Sequence, residues 1–169
     1  MAVKHADCLW RLPDRPEALR ERTAELIERG IEVGLLVSLI VRPTRREALA
    51  AAEKLLEEVG GRPRRTHDEF AKRSDSVAFT STYALAAKEQ WLNDYLWSGA
   101  VPFLGAPAMA IVGSSDDVTD ALFDLRAAGI TQFLFMGWPD MEEMAIFRDE
   151  VLPRVRAREA GERKEVVSS

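Results

Sequence analysis

Residues 31–41, IEVGLLVSLIV, constrain this chain more than any other stretch. Apolar and β-branched side chains fill both alternating sets of positions. A strand of that kind leaves no face for water, so it is buried on both sides, as in a parallel sheet. Pro43 stops it, because proline cannot donate to a ladder. Three further segments have strand character: 5–12, closed by Pro13; AMAIVG at 108–113; and TQFLFMGW at 131–138, closed by Pro139. The first predicts Cys8 as a small buried hydrophobe.

Amphipathic helices alternate with these strands. Asp14 with Glu17 predicts a capping box ahead of a helix that ends at Gly30. Thr44 with Glu47 starts a second helix, which runs to Gly60 with Leu49, Ala52, Leu55, Leu56 and Val59 on its apolar face. Residues 61–75 read as a solvated polar loop, and 76–97 as a long helix carrying Phe79, Tyr83, Trp91, Tyr95 and Trp97. Residues 98–108 form a loop with two glycines and two prolines. Ser114 or Ser115 caps the next helix, whose Val118, Ala121, Leu122 and Leu125 face inward and which ends at Gly129. Asp140 caps a last helix, and the tail from 160 is expected to fray. The alternation predicts an α/β fold with a parallel sheet. Only three strands are convincing, too few to close a barrel. The chain is therefore an incomplete barrel or completes itself by association.

Charge and composition narrow the function classes. With 23 basic and 28 acidic residues, a net charge of -5 offers no global field for nucleic acid or anionic membrane. The lone Cys8 forms no internal disulfide, which makes a reducing, cytoplasmic compartment the default. No apolar run approaches a membrane span, and the first residues lack a signal-peptide core. His5 and His67 have no partner at metal-ligand spacing, so no metal site is expected.

Four segments then carry a family likeness. They are the KHADCLW start, VGLLVSLIVRPTRREALAAAEKLL, AIVGSSDDVTDALFDLRAAGI, and TQFLFMGWPDMEEMAIFRDEVLPRVR. In order and spacing they resemble the C-terminal part of the bacterial luciferase-like flavin-dependent monooxygenases, within the alkanesulfonate monooxygenase branch. The resemblance implies a partial TIM (β/α)8 barrel: the last three β/α units plus a helical insertion. It places the barrel portion at 1–158, an insertion or lid at 61–107 and a flexible tail at 159–169. It further implies a monooxygenase that uses reduced FMN and oxygen, with the flavin supplied by a separate NAD(P)H-dependent reductase. The implied substrate is a sulfonate or another small organic molecule. The alternative is a non-catalytic subunit or remnant that completes a barrel with a partner chain or as a homo-oligomer.

The resemblance also assigns positions. The sulfonate branch carries an Arg-x-His on the strand at 32–41, and Leu36 and Ser38 stand there in this chain. Its loop arginine aligns near Leu104, its tyrosine at Trp138 and the histidine after it at Asp140. The cations that would offset the desolvation of a sulfonate are thus replaced. Trp138, at the C-terminal end of the last strand, is the candidate catalytic residue, since that end of a barrel is the catalytic face. Ser38, Leu36, Leu104 and Asp140 are candidates for the substrate or flavin pocket. Two have a plainer role, core aromatic for Trp138 and helix cap for Asp140, and Ser38 points into a barrel only if register allows.

Overall fold

The computed structural model describes residues 5–60, 73, 76–137 and 140–167 of the 169-residue chain. The long apolar run forms the central strand, β2 (Glu32–Val41), with 0% exposure at Val33, Leu35, Val37, Leu39 and Val41. Every other strand but one builds on it. Strand β1 (Cys8–Arg11) pairs in parallel with its first half, matching Trp10 to Gly34. Helix α1 (Pro16–Glu28) and helix α2 (Arg45–Glu58) follow β1 and β2. Helix α3 (Val77–Lys88) precedes the two-residue strand β3 (Leu96–Trp97). A short helix, α4 (Val101–Leu104), and a 3-10 turn (Ala106–Ala108) lead to β4 (Ala110–Gly113). Then come α5 (Ser115–Ala127), β5 (Gln132–Gly137), α6 (Asp140–Ile146), a π-helical segment (Phe147–Val151) and α7 (Leu152–Val167).

Backbone direction fixes the sheet order. Glu32 N–H donates to Asp7 and Ser38 N–H to Met109, so even positions of β2 face β1 and β4. Thr131 N–H donates to Val33, so odd positions face β5. Alternation along a parallel ladder therefore puts β1 and β4 end to end on one edge of β2 and β5 on the other. β3 adds antiparallel outside β4. The run β1-β2-β5 is the curled, open portion of a barrel. The sheet therefore has more strands than the three expected, because β3 and β4 extend it beside the end of β2.

The faces follow from the crossovers. The β1-to-β2 connection lays α1 on the odd face of β2, and the connection through α5 returns to that face. Leu19, Leu26, Val118, Leu122 and Leu125 pack there with the odd residues of β2. The β2-to-β4 connection runs the opposite way across the sheet. A right-handed crossover then puts α2 on the even face, where Ala48 and Ala52 pack on Ile40, Ala110 and Val112.

Local signals are mostly realised. Thr44 with Glu47 and Ser114 with Asp117 form reciprocal capping boxes. Gly30, Gly60 and Gly129 stop their helices at positive φ. Several expectations are corrected. Arg15, not Asp14, is the N-cap of α1 and makes no side-chain cap. The nearly buried Asp14 carboxylate accepts from Arg22 at 2.7 Å and from the Arg15 amide at 2.8 Å, an ion pair that outcompetes capping. Cys8 is half-buried because β1 is an edge strand.

The expected 76–97 helix ends at Lys88. The Asn93 side chain accepts from the Tyr95 and Leu96 amides at 3.0 and 2.7 Å, a local turn that a helix cannot accommodate. Trp91 then bridges Trp97, their rings 6.4 Å apart. The final helix does not fray at 160 but runs to Val167. Three ion pairs tie it to α5: Arg154 to Asp116, Arg158 to Asp120 and Glu162 to Arg126. The polar stretch 61–72 lies outside the described residues. Among the described residues, no helix is long and apolar enough to cross a membrane.

Two contacts test this packing. The Glu143 side chain on α6 is fully buried, accepting from the Val41 amide at 2.9 Å and from Arg42 at 2.5 Å. Burial pushes its carboxyl above the ordinary carboxylate range, against the pull of the Val41 amide and Arg42. The folded state then holds the proton to higher pH than the unfolded chain. Stability is predicted to fall as pH rises from the ordinary carboxylate range through the raised value, and Glu143→Gln to flatten that slope in thermal melts. Glu143→Ala strands the amide and the guanidinium, at a cost of about 3 kcal/mol, or about 10 °C in Tm. The second contact is at Gly34, where a Cβ would lie 2.5 Å from the Trp10 ring. Gly34→Ala is predicted to push Trp10 off the sheet, shifting its indole N–H resonance while the signals of α5 stay in place.

Candidate functional site

The period-two alternation of β2 places Leu36 and Ser38 on its even face, beside Gly34. Cross-strand register adds neighbours on that face: Trp10 opposite Gly34, Leu134 opposite Leu36, and Met136 opposite Ser38. The odd face is covered by α1 and α5. The even face is thus the side that a closed barrel turns inward, and its active site lies toward the C-terminal strand ends.

The two halves of this face differ. At the β4 end, α2, the 3-10 turn and α4 cover it. Near β1 and β5 it is open: Trp10 is 46% and Leu134 52% exposed, while Leu36 is half-buried. The open half is an aromatic and aliphatic wall, with Trp10 seated flat where Gly34 has no side chain. Such a surface suits one side of a planar, apolar ring system.

The candidates from sequence fall in different places. Ser38 is fully buried, and its hydroxyl donates to the Pro107 carbonyl at 2.8 Å. That bond fixes the insertion to the sheet. Leu36 stands at the border of the open wall. Leu104, closing α4, packs on the cluster of Ile40, Ala48, Trp97 and Ala110 rather than on the wall. Trp138 lies outside the described residues. Asp140 opens α6, which places it just past the end of β5.

Sequence reasoning missed Trp10 and Leu134, which look like ordinary strand residues until register sets them beside Leu36. The available signal was the pairing of Trp10 with Gly34, a large ring opposite a missing side chain.

One hollow borders the wall, and another lies apart from it at the far end of β2. The first, of about 460 Å³, runs along β1 from Leu9 to Asp14 beneath α3. The other, of about 370 Å³, lies at the ends of β2 and β4 among Arg42, Ser114 and Arg154. The cations of the second are engaged: Arg42 pairs with Glu143, and Arg154 with Asp116 and Glu150. It therefore offers no uncompensated charge to an anion. In the first, Arg22 is held by Asp14, while the buried Nε of Arg11 has no hydrogen-bond partner. Burial and the nearby Arg22 charge lower the Arg11 pKa from its ordinary value.

Comparison with known proteins places this geometry. No family model matches the chain. It is 33% identical over 150 residues to the sulfoquinovose monooxygenase of Agrobacterium fabrum, a match covering 86% of this chain and 38% of that relative. It spans 45% of a second relative of the same name. The chain therefore covers less than half the length of these curated relatives. Among solved structures, DmoA from Hyphomicrobium sulfonivorans superposes with a TM-score of 0.65 at 17% identity, covering 93% of this chain and 38% of that one. A riboflavin lyase, RcaE, solved with modified FMN and riboflavin, gives a TM-score of 0.63 at 16% identity, covering 93% of this chain and 40% of that one. Over the part it spans, the chain is thus similar in sequence to two sulfoquinovose monooxygenases and shares its fold with DmoA and RcaE, a likeness that points to the luciferase-like flavin-dependent monooxygenases.

Proposed function

We propose that this chain forms part of an FMN-dependent monooxygenase that acts on a small organic molecule in the cytoplasm, with reduced flavin delivered by a separate NAD(P)H-dependent reductase. The observation that carries the reading is the open wall of Trp10, Leu36 and Leu134 on the inward face of a partial barrel. When bound, reduced FMN supplies the reaction with oxygen that transfers one oxygen atom to the substrate. The protein's own part is to hold the flavin ring against an apolar surface and to keep water from it. Trp10 offers a ring face, and Leu36 and Leu134 offer aliphatic contact; Trp138 and Asp140, next in sequence after β5, are the candidates for the pocket at the C-terminal strand ends. Residues 61–107, between β2 and β4, are the lid segment in this reading. Part of that segment already folds over the covered half, where Ser38 holds Pro107.

The relatives named for sulfoquinovose favour a sulfonated substrate. Leu36 and Ser38 argue for one whose charge is met elsewhere in the barrel, or for an uncharged one. The same replacement is what favours the second reading, a non-catalytic subunit of a split barrel.

The test is to supply the chain with reduced FMN, oxygen and sulfoquinovose, with and without the part of the Agrobacterium relative that it does not span. Flavin reoxidation coupled to sulfite release is the expected result in the presence of that part. Uncoupled reoxidation at the rate of free flavin in both mixtures, with sulfoquinovose and with unsulfonated analogues, removes the reading. Leu36→Asp is expected to weaken FMN binding about tenfold, by setting a charge against the apolar ring.

A further inference from the structure

A third hollow lies on the other side of the sheet from the open wall. Register pairs Phe133 with Leu35 and Phe135 with Val37, so both rings stand on the odd face. There, between α5 and α7, the chain encloses a hollow of about 450 Å³. Phe133 and Phe135 line it with their rings stacked 5.6 Å apart, and Phe147 meets Phe135 at 4.6 Å. All three rings are only half-buried, although they lie on the helix-covered face. Ring surface beside empty space forgoes the contacts that a packed core supplies. α5 adds Leu122 and Arg126 to the lining, and α7 adds Val155 and Glu159.

The charge at this hollow is one-sided. Arg126 pairs with Glu162 at 2.9 Å, and nearby Arg158 pairs with Asp120 at 2.6 Å. Both guanidiniums also lie over the Phe123 ring, 5.3 and 4.1 Å from its centre. These pairs hold α7 along α5, so the walls of the hollow are set before any ligand arrives. Glu159 is half-buried and has no hydrogen bond or ion pair among the described residues. The charge left uncompensated at the lining is therefore negative.

We propose that this hollow binds an amphipathic organic cation, with its ammonium group against Glu159 and its apolar body against Phe133 and Phe135. Ring faces and a carboxylate both attract a positive group, and the rings also cover the apolar body. An anion would have to displace Glu162 from Arg126 and would then face Glu159. A neutral molecule would cover the rings but desolvate the carboxylate without pairing it. The volume is that of an ordinary small-molecule site. The sheet separates the hollow from the wall of Trp10, Leu36 and Leu134, so the inference does not rest on the flavin reading.

The experiment titrates the full chain with three probes that share one body: 4-phenylbutylammonium, 4-phenylbutanol and 4-phenylbutanoate. Methyl resonances are followed by NMR. Saturable shifts are expected at Leu122 and Val155, with the ammonium binding about tenfold more tightly than the alcohol and the carboxylate weakest. Added salt is expected to weaken the ammonium and leave the alcohol unchanged. Glu159→Gln, which keeps the side-chain shape, is expected to reduce the ammonium to the affinity of the alcohol at an unchanged Tm. Phe133→Leu is expected to weaken the ammonium several-fold by removing one ring face.

Absence of a saturable shift with the ammonium overturns the proposal. So does equal or tighter binding of the alcohol, which makes the hollow merely apolar, or of the carboxylate, which assigns it to Arg126. Unchanged ammonium affinity in Glu159→Gln overturns it as well. Shifts confined to Leu36 and Leu134 place the probe on the wall and remove the site. Self-association that shifts the same methyls without probe gives the hollow to a second copy and removes it too. If Phe133→Leu does not fold, the ranking of the three probes and the Glu159→Gln result decide without it.

Discussion

Glu143 anchors the far end of the central strand. Its carboxylate is out of contact with water and meets two donors: the amide of Val41, the last residue of β2, and the partly exposed Arg42 guanidinium. Burying a carboxylate is costly, and the cost is offset only where partners sit at hydrogen-bond distance. α6 is thereby tied to one place at the end of β2. Phe147, in the π-helical segment after α6, packs on Phe135 of β5 with ring centres 4.6 Å apart. The polar lock and the aromatic contact together set where β5 delivers its C-terminal end, next to the start of α6 at Asp140.

From that anchor the layers sort themselves. The odd face of β2 is closed by α1 and α5, and α7 is drawn along α5 by paired charges and by Arg158 stacked 4.1 Å over the Phe123 ring. The even face is closed only at its C-terminal half, by α2 and the insertion. What is left open is a wall rather than a cavity. A wall positions a flat ligand but cannot exclude water from it, so the chemistry proposed here belongs to the assembled barrel.

Much of this was legible in the sequence because its causes are local. The two-sided apolar run, the capping boxes at Thr44 and Ser114, and the glycine stops at 30, 60 and 129 each act within a turn or a strand. Leu36 and Ser38 share a face by simple alternation. What escaped depended on distant partners. Asp14 looks like a cap until Arg22 claims it. Aromatics at 83, 91 and 95 keep a helical rhythm that Asn93 breaks through its side chain. Glu143 sits in an acidic pair on an amphipathic helix, and only the approach of Val41 distinguishes it from its neighbour Glu142. Trp10 becomes a wall residue only through register with Gly34. Of the proposed wall, the strand and face of Leu36 were readable, and the part played by Trp10 was not.

Among the described residues the outer edges of β1 and β5 are unpaired, which has a consequence for how copies of this chain meet. The outer edges of β1 and β5 are not equivalent, and both belong to strands in a parallel ladder. Placing the β5 edge of one copy against the β1 edge of the next preserves that direction and is a heterologous contact, which leaves a new free edge at each end. Each copy brings three staves to a barrel of eight, and no whole number of copies closes that circle. Growth of this kind has no natural stopping point. Concentration, more than temperature, then becomes the variable that governs whether the isolated chain stays dispersed.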